Sequence, residues 1–323
     1  MKLNRLILAL AAASFASGFA HAGNSNSINL NNYAVKSVHA LDTLGGMGLE
    51  ASAVTFARDR NSLFYVGDEG LGVGEISLTG QTLGKMSFNW AGTGSSKHDT
   101  EGLTYLGGGV LVVSEERLYD AYRFSYAANG SATLANKSVS ISNANVGNSG
   151  LEGISYDARN GGSFVTVKQE GPQDILAGTL NFDSGAAAMR QLFNPSSLGV
   201  SSLSDVQTLA SVDALAGTVA ADHLLVLSLG SRQLLEVNRQ GQVLSSFDLA
   251  HVLPNNGIEG VTVDQLGNIY LVAEQDQTGG AVANAKSQLI VLSAISPVPE
   301  PATYGLMALG LVGLLGVNAR RRR

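Results

Sequence analysis

Three observations in the amino-acid sequence predict an all-β chain folded as one β-propeller of five four-stranded blades. Acid-led β-runs recur at intervals of about 51 residues, and a period of this length with several strands per unit is the mark of propeller blades. Each period carries up to four short runs rich in Val, Ile, Leu and Tyr, separated by Gly, Asn or Asp turns. The composition agrees: 39 Gly, no Cys, and only 14% charged residues against 45% hydrophobic ones. Such a chain has too much apolar residue and too little charge for disorder. It shows no sustained heptad, and without Cys it is neither a classical zinc finger nor a disulfide scaffold.

The elements follow in order. Residues 1–22 have the pattern of a secretory signal peptide: Lys2 and Arg5, an apolar stretch from Leu6 to Ala20, and the small-residue cleavage signal Ala20-His21-Ala22. Residues 23–36 read as a flexible lead. The propeller is expected over 37–293, with Glu50 opening EASAVTF, Glu101 EGLTY, Glu152 EGISYD and Glu259 EGVTVD. The gap between Glu152 and Glu259 is twice the period, so a fifth, degenerate repeat is expected at Asp205, opening DVQTLA. Second runs follow from Ser62, Gly109, Gly162, His223 and Gly267. Third runs follow from Gly74, Ala121, Asp174, Arg232 and Ser287, and fourth runs are visible from Gln81 and Gln242. The run Tyr33 to Leu41 has no repeat of its own and is expected to complete the last blade. A sixth blade would have to come from residues 194–222 together with that run.

The C-terminal end reads as a Pro-rich linker over 294–301, containing Val298-Pro299-Glu300-Pro301, followed by a sorting segment over 302–323. In that segment an apolar run from Ala302 to Val317 leads to Arg320–Arg323. The run of 16 residues spans about 24 Å as a helix, short of a ~30 Å hydrocarbon core. Arg side chains extend such a span by snorkelling and hold it cytoplasm-facing. This tail resembles the PEP-CTERM sorting signal of Gram-negative bacteria. The resemblance implies export across the inner membrane, a tethered precursor, an exosortase-type membrane protease as partner, and association with exopolysaccharide or biofilm. An envelope protein is a further expected partner.

Charge narrows the partners. Six of the 20 basic residues lie in residues 1–22 and 300–323, with Glu300 the sole acid there, so the domain between holds 14 basic against 25 acidic residues. An acidic exported domain excludes nucleic acid and suits cations.

The runs EGLTY–GGGVLVVSEERLYDAYRF, EGISYD–GSFVTVKQE and IEGVTVDQLGNIYLVAEQD resemble the SdiA-regulated domain proteins, exported propellers related in appearance to phytase-like and NHL-type ones. The resemblance covers about residues 37–293, is weakest over 194–221, and departs at Glu50, where Ala51 replaces Gly. It implies a propeller, in some members linked to calcium, and no established enzymatic activity.

Strand geometry locates a site independently. Strands one and two of a blade are antiparallel, so the start of one lies beside the end of the other. Strand one is innermost, which brings Glu50, Glu101, Glu152, Asp205 and Glu259 to the mouth of the central channel. The ends of strand two bring Asp68 and Glu69, Glu115 and Glu116, Lys168 and Glu170, Ser228, and Glu274 and Asp276 to the same face. Glu69, Glu115, Glu170 and Glu274 form the expected second set. Converging carboxylates repel one another and a hard cation relieves this. Ca2+ takes six to eight oxygens in irregular geometry, whereas Zn2+ lacks its Cys and paired His. The alternative is that each acid hydrogen-bonds backbone N–H groups between blades.

No G-x-S-x-G nucleophile motif is present, and no catalytic residue is assigned. The leading expectation is a binding module with a Ca2+-favouring mouth. The alternative is a metal-dependent phosphoesterase of phytase-like type, in which Lys168, Arg117 and His98 would serve. Phe88 and Trp90, ending blade one, are expected to be packing residues.

Overall fold

In a computed structural model the described residues are 27–142, 146–276 and 286–295. The signal peptide with Ala20 and Ala22, the motif Val298 to Pro301 and the apolar tail lie outside them. Among the described residues no helix is long and apolar enough to cross a membrane.

Five antiparallel sheets surround one axis. The first blade is β2 (Ala51–Ala57), β3 (Ser62–Gly67), β4 (Gly72–Ile76) and β5 (Thr82–Asn89). The second is β6 (Thr100–Gly107), β7 (Val110–Glu115), β8 (Asp120–Ser125) and β10 (Ser138–Ser140). Its excursion β9 (Ser131–Thr133) lies parallel to β5 as a fifth strand of blade one. The third is β11 (Leu151–Asp157), β12 (Ser163–Lys168), β13 (Asp174–Asn181) and β14 (Ala186–Gln191). The fourth is β15 (Asp205–Thr208), β16 (Leu224–Ser228), β17 (Gln233–Val237) and β18 (Val243–Asp248). The fifth is β19 (Asn256–Val263), β20 (Ile269–Asp276), β21 (Gln288–Ala294) and β1 (Tyr33–Ala40).

The degenerate repeat at Asp205 is thus a blade. The run 194–222 holds only β15 with 3-10 turns, so there is no sixth. The N-terminal strand closes the ring, with Tyr33 opposite Ala294 and Ala40 opposite Gln288. The closing strand falls on the run expected from Tyr33. It starts ahead of the domain boundary expected at residue 37, and residues 27–32 are already docked. Leu30 is fully buried. The Glu236 carboxylate accepts bonds from Ser27 Oγ at 2.6 Å, Ile28 N at 3.1 Å and Asn29 N at 3.2 Å.

Burial patterns follow position. β2, β3 and β16 lie between neighbouring blades and are buried along their whole length, so they read as continuous apolar runs. The outer β5 alternates buried and exposed residues. The core divides into five clusters, one at each blade interface. That between blades one and two joins Phe64, Val66 and Trp90 to Leu111, Val113 and Tyr122. That between blades four and five takes in Leu30 and Tyr33 of the N-terminal segment.

Candidate functional site: an acidic channel mouth

The inner strands β2, β6, β11, β15 and β19 contact one another around the axis. Three of them carry an acid at a bulge near the start: Glu101 between the paired Thr100 and Gly102, Glu152 between Leu151 and Gly153, and Glu259 between Ile258 and Gly260. A bulge re-aims its side chain, here toward the axis. Gly follows because the next blade is too close for a Cβ. One added to Gly153 would lie 2.7 Å from Asp205 Cα, and one on Gly260 would lie 2.8 Å from Ala53 Cα.

The first blade differs from the expected register. Its bulge falls at Ser52, between the paired Ala51 and Ala53, so Ser52 occupies the acid's place and Ala53 that of Gly. Glu50 stands two residues earlier, outside the strand. The signal for this register was a hydroxyl three residues beyond the bulge: Thr55, Thr104, Ser155, Thr208 and Thr262. Four of these hydroxyls accept a backbone N–H from the next inner strand. Thr55 takes that of Tyr105 at 3.1 Å, Thr104 that of Tyr156 at 2.9 Å, Ser155 that of Thr208 at 3.0 Å, and Thr262 that of Phe56 at 3.1 Å. Thr262 Oγ1 also donates to Gln207 Oε1 at 3.0 Å, which joins blades four and five.

Asp205 sits at the acid's position in blade four but does not join the mouth. It is buried, and its carboxylate accepts Val206 N and Val261 N, both at 2.7 Å. Here the inter-blade hydrogen-bond alternative describes the residue.

The remaining acids assemble around Asp68. Ligand oxygens of Glu50, Asp68 and Glu69 lie within 4.8 Å of one another, and so do those of Asp68, Asp99 and Glu101. Burial, then Glu50, Asp99, Glu69 and Glu274, push the Asp68 carboxyl up to about 7. Burial is also the first cause that raises Glu101, Glu152 and Glu259 well above the carboxylate range, followed by their acidic neighbours. Glu152 hydrogen-bonds Glu116, and Glu259 hydrogen-bonds Glu274. Two carboxylates cannot share a hydrogen bond while both are ionised, so each pair requires a proton or a neighbouring cation and titrates as a unit. Among the described residues, Arg117 is the one base in an ion pair with this group, through Asp99.

Of the expected second set, Glu69 and Glu274 belong to the mouth. Glu115 is replaced there by its neighbour Glu116. Glu115 itself is buried and accepts Ser95 Oγ and Leu118 N, both at 2.7 Å, which holds a loop. Glu170 is exposed, and its carbonyl receives Lys168 Nζ, which also donates to Pro172 O. Arg117 is engaged by Asp99 and Asn148. His98 turns from the mouth, stacking on Trp90 with ring centroids 5.0 Å apart, while Asp99 faces inward. Trp90 is nearly buried and donates to Gly70 O at 2.7 Å, so it is a packing residue. The three bases named for a hydrolase therefore have other partners.

The sequence pattern of the family described as SdiA-regulated matches residues 25–277. The chain belongs to the SdiA-regulated family. Residues 297–323 match the PEP-CTERM protein-sorting motif, an exosortase recognition signal that marks this SdiA-regulated propeller for export and membrane-anchored sorting in Gram-negative bacteria. Among solved structures, Myxococcus xanthus glutaminyl cyclase is similar at 13% identity and a TM-score of 0.50, over 82% of this chain and 97% of that one. A luciferin-regenerating enzyme is similar at 10% identity and a TM-score of 0.48, over 80% and 96%. At 13% identity the likeness to the glutaminyl cyclase concerns the fold alone.

Proposed function

We propose that this exported propeller is a non-catalytic binding module whose channel mouth holds a hard divalent cation, Ca2+ by its ligand chemistry. One observation carries the reading: Asp68 belongs to two carboxylate triads at once, in a mouth where two further carboxyl pairs are hydrogen-bonded to each other. The donor set is all oxygen, which suits a cation that accepts irregular geometry and many ligands. Asp68, Glu101 and Asp99 would hold the ion, with Glu50 and Glu69 on its outer side. The loaded mouth would present a less repulsive surface to a partner in the envelope or biofilm matrix, an exopolysaccharide or a protein. The phosphoesterase alternative is disfavoured by the separate engagement of Lys168 and Arg117.

The test is calorimetric titration of the tail-less mature domain with Ca2+ and Mg2+, alongside phosphomonoester and phytate assays. Saturable Ca2+ binding lost in Glu101→Gln, without turnover, is the expected result. Absence of binding in the wild type refutes the cation site, and Ca2+-dependent turnover refutes the non-catalytic reading.

A further inference from the structure

Both ends of the described domain lie on one side of the disc, and it is the side opposite the acids. β6, β11 and β19 start at the mouth. The third strand of a blade runs parallel to the first, so β21 also starts there and ends at Ala294 on the far face. β1 is antiparallel to β21, with Tyr33 opposite Ala294, so the N-terminal segment enters on the far face too. Ile295 N donates to Asn32 O at 2.6 Å, which sets the two ends side by side.

The far face differs chemically from the mouth. Its bases are ion-paired: Arg58 with Asp213 at 2.8 Å, Arg159 with Asp222 at 2.9 Å, and Lys137 with Asp183 at 2.8 Å. It also exposes apolar tips. Leu266 in the turn after β19 is 72% exposed, Val219 in the segment after β15 is 62%, and Ile295 beside the exit is 56%.

We propose that the chain held by its tail sets this far face, with Val219, Leu266 and Ile295 leading, against the lipid surface and points the acidic mouth away from it. Reach decides against the reverse pose. Only residues 296–301 separate Ile295 from the apolar run, and six residues extend at most about 22 Å. The eight residues of β1 span about 26 Å of disc edge, so the tether is too short to pass from the far face around the rim and beneath the mouth. Electrostatics acts in the same direction, because anionic headgroups repel the acid-rich mouth more than a face whose acids are largely matched by bases. The mouth is therefore presented to soluble or matrix-borne partners rather than to lipid. The inference rests on the sorting tail and not on the cation site.

The chain has no Cys, so single labels are unambiguous. Lys97→Cys marks an exposed loop on the mouth side, and Gln240→Cys an exposed turn on the far side. Each variant of the mature full-length chain, residues 23–323, is fluorophore-labelled and reconstituted into vesicles of phosphatidylethanolamine and phosphatidylglycerol carrying an acceptor lipid. Energy transfer is read from the floated fraction. The expected result is transfer from Gln240→Cys at least about twofold above that from Lys97→Cys, given a disc roughly 26 Å thick. Equal transfer means a freely tumbling domain and overturns the proposal, and stronger transfer from Lys97→Cys overturns it outright. Failure of the protein to float with the vesicles removes the tether and with it the proposal.

Discussion

Asp68→Asn is expected to stabilise the metal-free domain above neutral pH. Burial and four acidic neighbours raise the Asp68 carboxyl from 3.8 to about 7. In the unfolded chain the group ionises near pH 4. The folded state keeps its proton longer, so stability falls as pH rises from about 4 to 7 and is level above that. A rise of about three units corresponds to roughly 4 kcal/mol. Because the side chain is partly exposed, solvent screening reduces this to about 2 kcal/mol. For a domain of this size that is a Tm about 4–8 °C higher for the variant at pH 8 in chelator. The two proteins should converge below pH 4, where Asp68 is neutral in both states. The assay is thermal melting by circular dichroism from pH 3.5 to 8.5, with chelator and with Ca2+. Calcium should raise the wild type by about 2.7 kcal/mol at one hundred times Kd and leave the variant nearly unmoved. A variant less stable than wild type at pH 8 in chelator, or a difference constant across pH, would refute the electrostatic account of the mouth.

Other outcomes follow from residues away from Asp68. Thr104→Val removes the acceptor for the half-buried Tyr156 N and should lower stability by about 1 kcal/mol, the net worth of one such hydrogen bond, as measured by urea denaturation. Gly153→Ala drives a methyl into Asp205 and should lower it by about 1–3 kcal/mol, while Gly217→Ala, with open space around it but positive φ, should lower it by about 1 kcal/mol. Glu236→Ala frees Ser27, Ile28 and Asn29 and should make residues 27–32 exchange their amide hydrogens before β1 does. Unchanged exchange there would refute the docking role. Deleting residues 302–323 should release the domain from the envelope fraction of a host that has exosortase, whereas identical fractionation of both forms would contradict sorting by the tail.

The ring was legible because propeller blades repeat their turns and apolar runs whatever the function. Even the weak fourth blade kept Asp205 and Thr208 in phase. The site was only half legible. Glu50 is the wrong acid to align, because the first blade carries Ser52 where the others carry Glu, and only the hydroxyl three residues later preserves the register. Glu115 and Glu116 are adjacent, so the pleat sends them to opposite sides. Which of them reaches the mouth depends on the bulge at Glu101, which composition does not announce. Asp205 has the residue type and position of a ligand but faces two backbone N–H groups of its own and the next blade.

The closing strand also governs when this protein becomes folded. β1 is the first of the described strands along the chain, yet its partner β21 is separated from it by about 260 residues, the longest pairing among the described residues. Joining them carries a loop-closure penalty about 3 kcal/mol greater than that of a ten-residue hairpin. Blades one to four can form without this closure, but the fifth has only three strands until the N-terminal segment returns to it. Completion of the ring therefore waits for the last blade. The first strand made is thus the last to be paired, and the ring stays open until β21 offers its edge.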